Sequence, residues 1–222
     1  PKPKEPNVLI DFGEANDKQR LFYLSQTLYT AYGGARGGGK SHAVRIKSLG
    51  GALEYPGITI LILRRTYNDL QNSIIEPMLK MIPQGMAVYN GTMHMIYFLN
   101  GSTIKFGHYD SDAHKEYQGQ QYDWIFIDEA TQFTYDEFRT LGGCLRGVND
   151  IPKRFYLTCN PGGVGHAWVK RLFIDRDYIN DPNNPEANER PEDYTFVFAT
   201  VEDNAVLLEN SPQYLQMLAS LP

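Results

Sequence analysis

The chain has 222 residues, 42% hydrophobic and 21% charged, which is enough for one sizeable core. No apolar run approaches the roughly 20 residues that span a bilayer, and two cysteines, Cys144 and Cys159, are too few for a disulfide framework. A membrane-spanning or disulfide-stapled protein is therefore excluded in favour of a protein of a reducing cytoplasm, and a formal net charge of −5 makes any nucleic-acid contact a local affair.

In chain order, the opening Pro-Lys-Pro-Lys-Glu-Pro lacks the apolar core of a signal peptide, so residues 1–15 read as a loose arm before a domain over 16–222. Residues 16–26 predict a helix with an Asn/Asp start and Leu21, Phe22 and Leu24 as its apolar side. An apolar, aromatic stretch, residues 28–32, predicts a strand, and residues 42–53 a helix. Residues 58–63 form an unbroken β-branched and leucine run, as in a strand buried on both faces. Residues 68–81 carry Leu70, Ile74, Ile75, Met78 and Leu79 at helical spacing.

Three short runs near 86–90, 94–99 and 103–108 are separated by Asn90-Gly91 and Asn100-Gly101, the pattern of hairpin turns and of an antiparallel edge. Further strands are predicted over 124–127, 153–158 and 194–201. Further helices are predicted over 135–145, 166–173 and 212–218, with a Pro/Asn/Glu-rich mobile loop at 180–193. This alternation predicts one α/β domain, doubly wound around a mainly parallel sheet with antiparallel strands at an edge. His108 and His114 flank an acidic turn, and a solvated loop explains them better than a metal site.

Charge is unevenly spread. Residues 175–203 hold nine acidic and two basic side chains, leaving 19 basic against 17 acidic elsewhere. Arg36, Lys40, Arg45, Lys47, Arg64 and Arg65 face only Glu54 across residues 36–65, which permits a local DNA contact.

The chemistry starts at Gly34-Ala35-Arg36-Gly37-Gly38-Gly39-Lys40-Ser41, a complete G-x-x-x-x-G-K-[ST] phosphate loop between a predicted strand and a predicted helix. Glycines let backbone N–H groups turn in around a polyphosphate. Lys40 can reach the terminal phosphates, the Ser41 hydroxyl suits Mg²⁺, and the helix from His42 points its positive end at the same anion. The nucleotide-binding stretch is thus Gly34 to His42.

Trp124-Ile-Phe-Ile-Asp128-Glu129 is a hydrophobic strand ending in two carboxylates, the Walker B pattern. Asp128 is the expected metal partner with Ser41, and Glu129 the expected base that polarises the attacking water. Asn160, in Thr158-Cys159-Asn160-Pro161, closes the next strand where it can bind that water or the γ-phosphate. The same Asn-Pro-Gly-Gly run is equally well an ordinary turn.

These blocks, with a Gln-bearing helix ahead of the loop, Leu63-Arg64-Arg65 and Tyr117-Gln118-Gly119, closely resemble the ATPase domain of the tailed-phage large terminase subunit, a P-loop NTPase of the additional-strand, catalytic-glutamate (ASCE) type. The resemblance runs from about residue 16 to the end. It implies a motor that uses Mg²⁺ and ATP to drive double-stranded DNA through the portal protein into a procapsid in the host cytoplasm. It also implies a small terminase subunit as partner and a homo-oligomeric ring during packaging, with a monomer in isolation. Gln19 best fits the adenine-contacting glutamine, with Gln26 as competitor. Arg36 would contact phosphate or couple nucleotide state to motion, and Asn160 falls in the coupling motif.

Two departures stand out. Where some relatives carry a trans-acting arginine before the Walker B strand, this chain has Gln118-Gly119-Gln120-Gln121, leaving Arg139 and Arg146 as weak candidates. The chain also ends before the nuclease domain of full-length relatives, so either it is an excised ATPase domain, the favoured reading, or the nuclease is a separate protein. The competing readings are a helicase-like or repair ATPase of the same fold group, and a nucleotide-gated assembly module without turnover. A helicase would bring a second motor domain, and Glu129 speaks against the module.

Overall fold

The computed structural model describes Ile10, residues 12–34, residues 37–109, Tyr117, residues 119–211, Gln213 and Met217. Elements follow in chain order: α1 (Asp17–Leu24), β1 (Tyr29–Gly34), α2 (Lys40–Glu54), β2 (Thr59–Arg64) and α3 (Tyr67–Leu70). A π-helical stretch, Gln71–Ile75, joins α3 to α4 (Glu76–Leu79). Then come β3 (Ala87–Asn90), β4 (Met95–Phe98), β5 (Thr103–His108), β6 (Trp124–Ile127), α5 (Tyr135–Gly142), β7 (Arg154–Cys159), α6 (His166–Val169), β8 (Tyr194–Ala199) and α7 (Ala205–Asn210).

The eight strands form one sheet in the order β3-β4-β5-β2-β6-β7-β1-β8. Every pairing is parallel except β3–β4 and β4–β5, so β4 alone runs against the rest. This is the P-loop NTPase arrangement, with the expected antiparallel strands at one edge. The first hairpin turn is set by Asn90, whose side-chain oxygen accepts from the Thr92 and Met93 amides at 3.0 Å.

Strand residues alternate between two cores. On one face Tyr32, Ile60, Ile62, Phe126 and Tyr156 pack beneath Ala43, Val44, Leu49 and Ala52 of α2, and beneath Leu70, Ile74, Ile75 and Met78. On the other, Ala31, Leu61, Leu63, Ile125, Ile127 and Leu157 meet Phe138 and Leu141 of α5 and Trp168 and Val169 of α6. Each fully buried side chain of this size contributes about 1.5–3 kcal/mol. Strands β1, β2, β6 and β7 are buried on both faces, and in β2 and β6 this is why the sequence reads as an unbroken apolar run, residues 60–63 and Trp124–Ile127.

Several expectations are corrected. In α1 the buried residues are Gln19 and Phe22, whereas Leu21 and Leu24 are 57% and 72% exposed. Helix α5 stops at Gly142, and Leu145 instead bridges Tyr122. The helix expected over 68–81 contains the π-helical stretch, and α6 passes into a second one, Lys170–Asp175. The 180–193 loop is irregular but stapled: Glu189 binds Arg171 at 2.7 and 2.9 Å, the Tyr135 hydroxyl at 2.8 Å and the Ile179 amide at 2.8 Å. Most of the helix expected over 212–218, most of the 1–15 arm, His114, Gln118, Ala35 and Arg36 lie outside the described residues. No helix among the described residues is long and apolar enough to cross a membrane.

Candidate functional site

In a parallel sheet the strand C-termini share one edge, and here β2, β6, β7 and β1 deliver Arg64, Asp128 with Glu129, Asn160 and the phosphate loop to neighbouring positions. Strand β7 lies between the phosphate-loop strand and the Walker B strand. Asn160 is therefore wedged between the two expected halves of the site.

The loop is held from several sides. Gly34 adopts φ +135°, and a Cβ there would sit 1.8 Å from the Ala199 carbonyl oxygen, so only glycine permits β8 to close on it. The Tyr32 hydroxyl donates to the Gly38 carbonyl at 3.1 Å, and the Asn204 side chain donates to that of Gly37. Lys40, the first residue of α2, is only 8% exposed. Burial pushes its pKa down, opposed by Cys159, Asp128 and Glu129.

The Ser41 hydroxyl donates to both Asp128 oxygens, at 3.0 and 3.3 Å. Asp128 is fully buried and also takes the Thr158 hydroxyl at 2.6 Å and Arg64 Nε at 3.3 Å. Glu129 sits in the left-handed region at φ 63°, ψ 54°, a conformation costing a non-glycine residue about 1–3 kcal/mol. Its amide donates to Thr158 Oγ1 at 2.9 Å, so Thr158 fixes both carboxylate-bearing residues at once. The Glu129 carboxylate receives Arg64 at 3.2 Å, Gln132 at 3.1 Å and Asn160 at 3.4 Å. Asn160 Oδ1 is buried and without a partner among the described residues, leaving an acceptor for a ligand or water.

Two cavities adjoin these groups. One of about 680 Å³ is lined by Gly37 to His42, Arg45, Ser73, Glu129, Gln132 and Asn160. A second, of about 490 Å³, is lined by Glu14, Asn16, Gln19, Asn204, Leu207 and Asn210 and shares Gly39 and His42 with the first. Burial and the neighbouring Arg45 hold the His42 pKa below the ordinary histidine value. Gln19, locked in a capping box with Asn16, is close enough to Gly39 that a Cβ there would lie 2.9 Å from its side-chain nitrogen. Gln26 instead accepts from Arg154 at 2.8 Å and lines a different groove, beside Leu28 at the entry to β1.

Arg139 lies 6.0 Å from the Tyr135 ring centroid, and Arg146 follows the bridge of Leu145 to Tyr122. Neither lines a site cavity. The chemistry of Ser41 and Asp128, one hydroxyl and one carboxylate, fits Mg²⁺, which takes its remaining oxygens from water and substrate phosphates. Among the described residues no group of three or more His, Cys, Asp or Glu side chains forms a metal cage by itself.

Sequence reasoning did not give a role to Arg64, Thr158, Gln132 or Asn204. Arg64 and Thr158 carried a signal, a polar residue closing a buried apolar run. Gln132 and Asn204 carried none, since only folding brings them to the site.

A sequence profile of phage terminase large subunits matches residues 26–219. No curated protein sequence matches the chain. Among solved structures, the large terminase of a thermophilic bacteriophage superposes with a TM-score of 0.71 at 16% identity, covering 92% of this chain and 50% of that one. The large terminase ATPase domain of Thermus phage P74-26 gives 0.64 at 17% identity, covering 94% and 89%. The HK97 bacteriophage large terminase gives 0.57 at 12% identity, covering 90% and 44%. At these identities the superpositions show a shared fold. The chain spans about half the length of the first of these proteins, which has also been solved with ATP-γ-S and with ADP.

Proposed function

The chain belongs to the phage terminase large subunit family, and from this premise we propose that residues 16–222 form its ATP-hydrolysing motor domain, coupling Mg-ATP hydrolysis to movement of double-stranded DNA. One observation carries the reading. The Ser41 hydroxyl lies on Asp128, with Glu129 next in sequence, around a cavity floored by the phosphate loop. The nucleotide complexes of the thermophilic-phage terminase support a triphosphate as the ligand.

In this reading the phosphates lie along Gly37 to Lys40, with Lys40 opposite the terminal groups. Ser41 and Asp128 would hold Mg²⁺, which neutralises charge developing on the phosphate oxygens. Glu129 accepts the proton of the water that attacks the γ-phosphorus: Arg64 and Asn160 bond its Oε1 and only Gln132 its Oε2, which keeps a lone pair for that proton. Asn160 Nδ2 bonds Glu129 while its orphaned Oδ1 can accept a hydrogen bond from the water's other proton. Loss of phosphate would then be felt along β7. Gln19 and the second cavity receive the base.

Membership of the family supports extending the proposal to a packaging role, with DNA, portal protein and small terminase subunit as partners of a homo-oligomeric ring at the procapsid in the host cytoplasm. Phosphate release by the purified chain with Mg-ATP tests the enzymatic core. Lys40→Ala should abolish nucleotide binding in calorimetry. Glu129→Gln should retain binding and lose on the order of 10²–10⁴-fold in turnover. Equal phosphate release before and after the Glu129 change would remove the base assignment.

A further inference from the structure

Helix α3 does not run smoothly into α4, and the sequence contains the cause. Pro77 has no N–H to offer the Ser73 carbonyl four residues earlier, and its ring presses on that carbonyl. The chain widens into the π-helical stretch Gln71–Ile75, where the Glu76 amide reaches back to Gln71 rather than Asn72. The Ser73 carbonyl is taken instead by a guanidinium N–H of Arg45. Ser73, Pro77 and Arg45 all line the cavity that contains the phosphate loop.

Arg45 is four residues after Ser41 on α2 and so shares its face. It is half-buried, yet no carboxylate among the described residues stands within ion-pair distance of it, in contrast to Arg64, which is engaged by both Asp128 and Glu129. A second guanidinium nitrogen meets His42 Nδ1 at 3.2 Å, and Nε is buried with no partner among the described residues. A half-buried cation with a buried, unspent Nε donor beside a cavity suits an incoming anion.

We propose that Arg45 is a further phosphate-binding cation of this site and that Pro77, through the Ser73 carbonyl, is the residue that positions it. The inference rests on the nucleotide reading above and extends it to a residue outside the recognised motifs. Pro77 acts by withholding a hydrogen bond. A residue with an N–H at position 77 would compete for the Ser73 carbonyl and release Arg45 from its place on the cavity wall.

The experiment measures ATP-γ-S binding with Mg²⁺ by calorimetry, alongside thermal unfolding, for the chain and for Lys40→Ala, Arg45→Gln, Pro77→Ala and the Arg45→Gln/Pro77→Ala double variant. Arg45→Gln should weaken binding on the order of tenfold, the loss of one charge-assisted contact. Pro77→Ala should weaken it several-fold without lowering the unfolding temperature, because alanine suits a helix better than proline. The double variant should bind no worse than Arg45→Gln alone, since both changes act through one guanidinium. Wild-type affinity in Arg45→Gln, additive losses in the double variant, or a loss in Pro77→Ala matched by lower thermal stability would each overturn the proposal. If Lys40→Ala loses binding while Arg45→Gln keeps it, this inference alone falls. If the unaltered chain binds no ATP-γ-S, the nucleotide reading falls and takes the inference with it.

Discussion

Strand β6 is flanked by two buried aspartates, and the fold treats them in opposite ways. Asp123, just before the strand, is 1% exposed and engaged on both oxygens: Oδ2 takes the Thr59 amide at 2.9 Å and the Thr59 hydroxyl at 3.0 Å, and Oδ1 pairs with Lys153 at 2.9 Å. Burial would raise its pKa, but the Thr59 and Lys153 bonds outweigh burial and hold it below the usual carboxylate value. Asp128, just after the strand, is equally buried but bound by hydroxyls and one arginine beside a large cavity, and its neighbour Glu129 sits in strained backbone. The first aspartate ties strands together. The second is held by Ser41 and followed by Glu129, both of which line open space, where in the proposed reading a cation and a ligand would complete its surroundings. Buried charge alone therefore does not mark a site; the cavity and the strain beside it do.

That contrast can be broken at either end. Asp123→Ala should cost about 3–5 kcal/mol in denaturant unfolding, because it removes the carboxylate paired with Lys153 and leaves the Thr59 amide and hydroxyl without their acceptor. Nucleotide affinity of the folded fraction should be unchanged. Asp128→Ala should do the reverse, lowering Mg-dependent turnover on the order of 10²-fold with a smaller change in stability. A large stability loss at Asp128 with activity retained would show that the two ends are not specialised.

Acid sharpens the comparison. Because the folded pKa of Asp123 is depressed, its stabilisation is present above the unfolded value near 4 and is lost as pH falls through the folded pKa. Unfolding titrations should therefore show a shallower acid limb in Asp123→Asn than in the unaltered chain. At Glu129, glycine should be more stable than alanine by about 1 kcal/mol, since both lose the carboxylate and only glycine relaxes the left-handed backbone. The smallest effect concerns reactivity. Burial raises the Cys159 thiol to about 11, so it should resist alkylation at pH 8 in the folded chain and react once urea unfolds it.

Much of this was legible before folding. The Asn/Asp start of α1, the phosphate loop, the Walker B run and the Asn-Gly turns are local signals, each with its cause within a few residues. Leu21 and Leu24 misled because a short amphipathic segment can turn either side inward, and Phe22 with Gln19 won that position. Arg64 and Thr158 escaped assignment because their partners are 65 and 30 residues away, a distance only the strand order closes. The π-helical stretch was readable in part. Pro77 lies inside the segment that periodicity assigns to one helix, and a proline there signals a broken ladder. The carbonyl it frees, that of Ser73 four residues earlier, is fixed by the sequence, but that Arg45 would claim it depends on the packing of α2 against that helix.

The clasp of Asn204 on Gly37 has a consequence in time. The donor follows its acceptor by 167 residues, so the phosphate loop leaves the ribosome long before its last restraint exists. At about 5–20 residues per second the interval is roughly 10–30 s. During synthesis the nascent chain carries the phosphate-loop motif without this wall beside it, and the clasp forms only when β8 and the segment leading into α7 dock. A chain stalled short of residue 204 would present the signature of an ATP site and an unfinished grip on ATP.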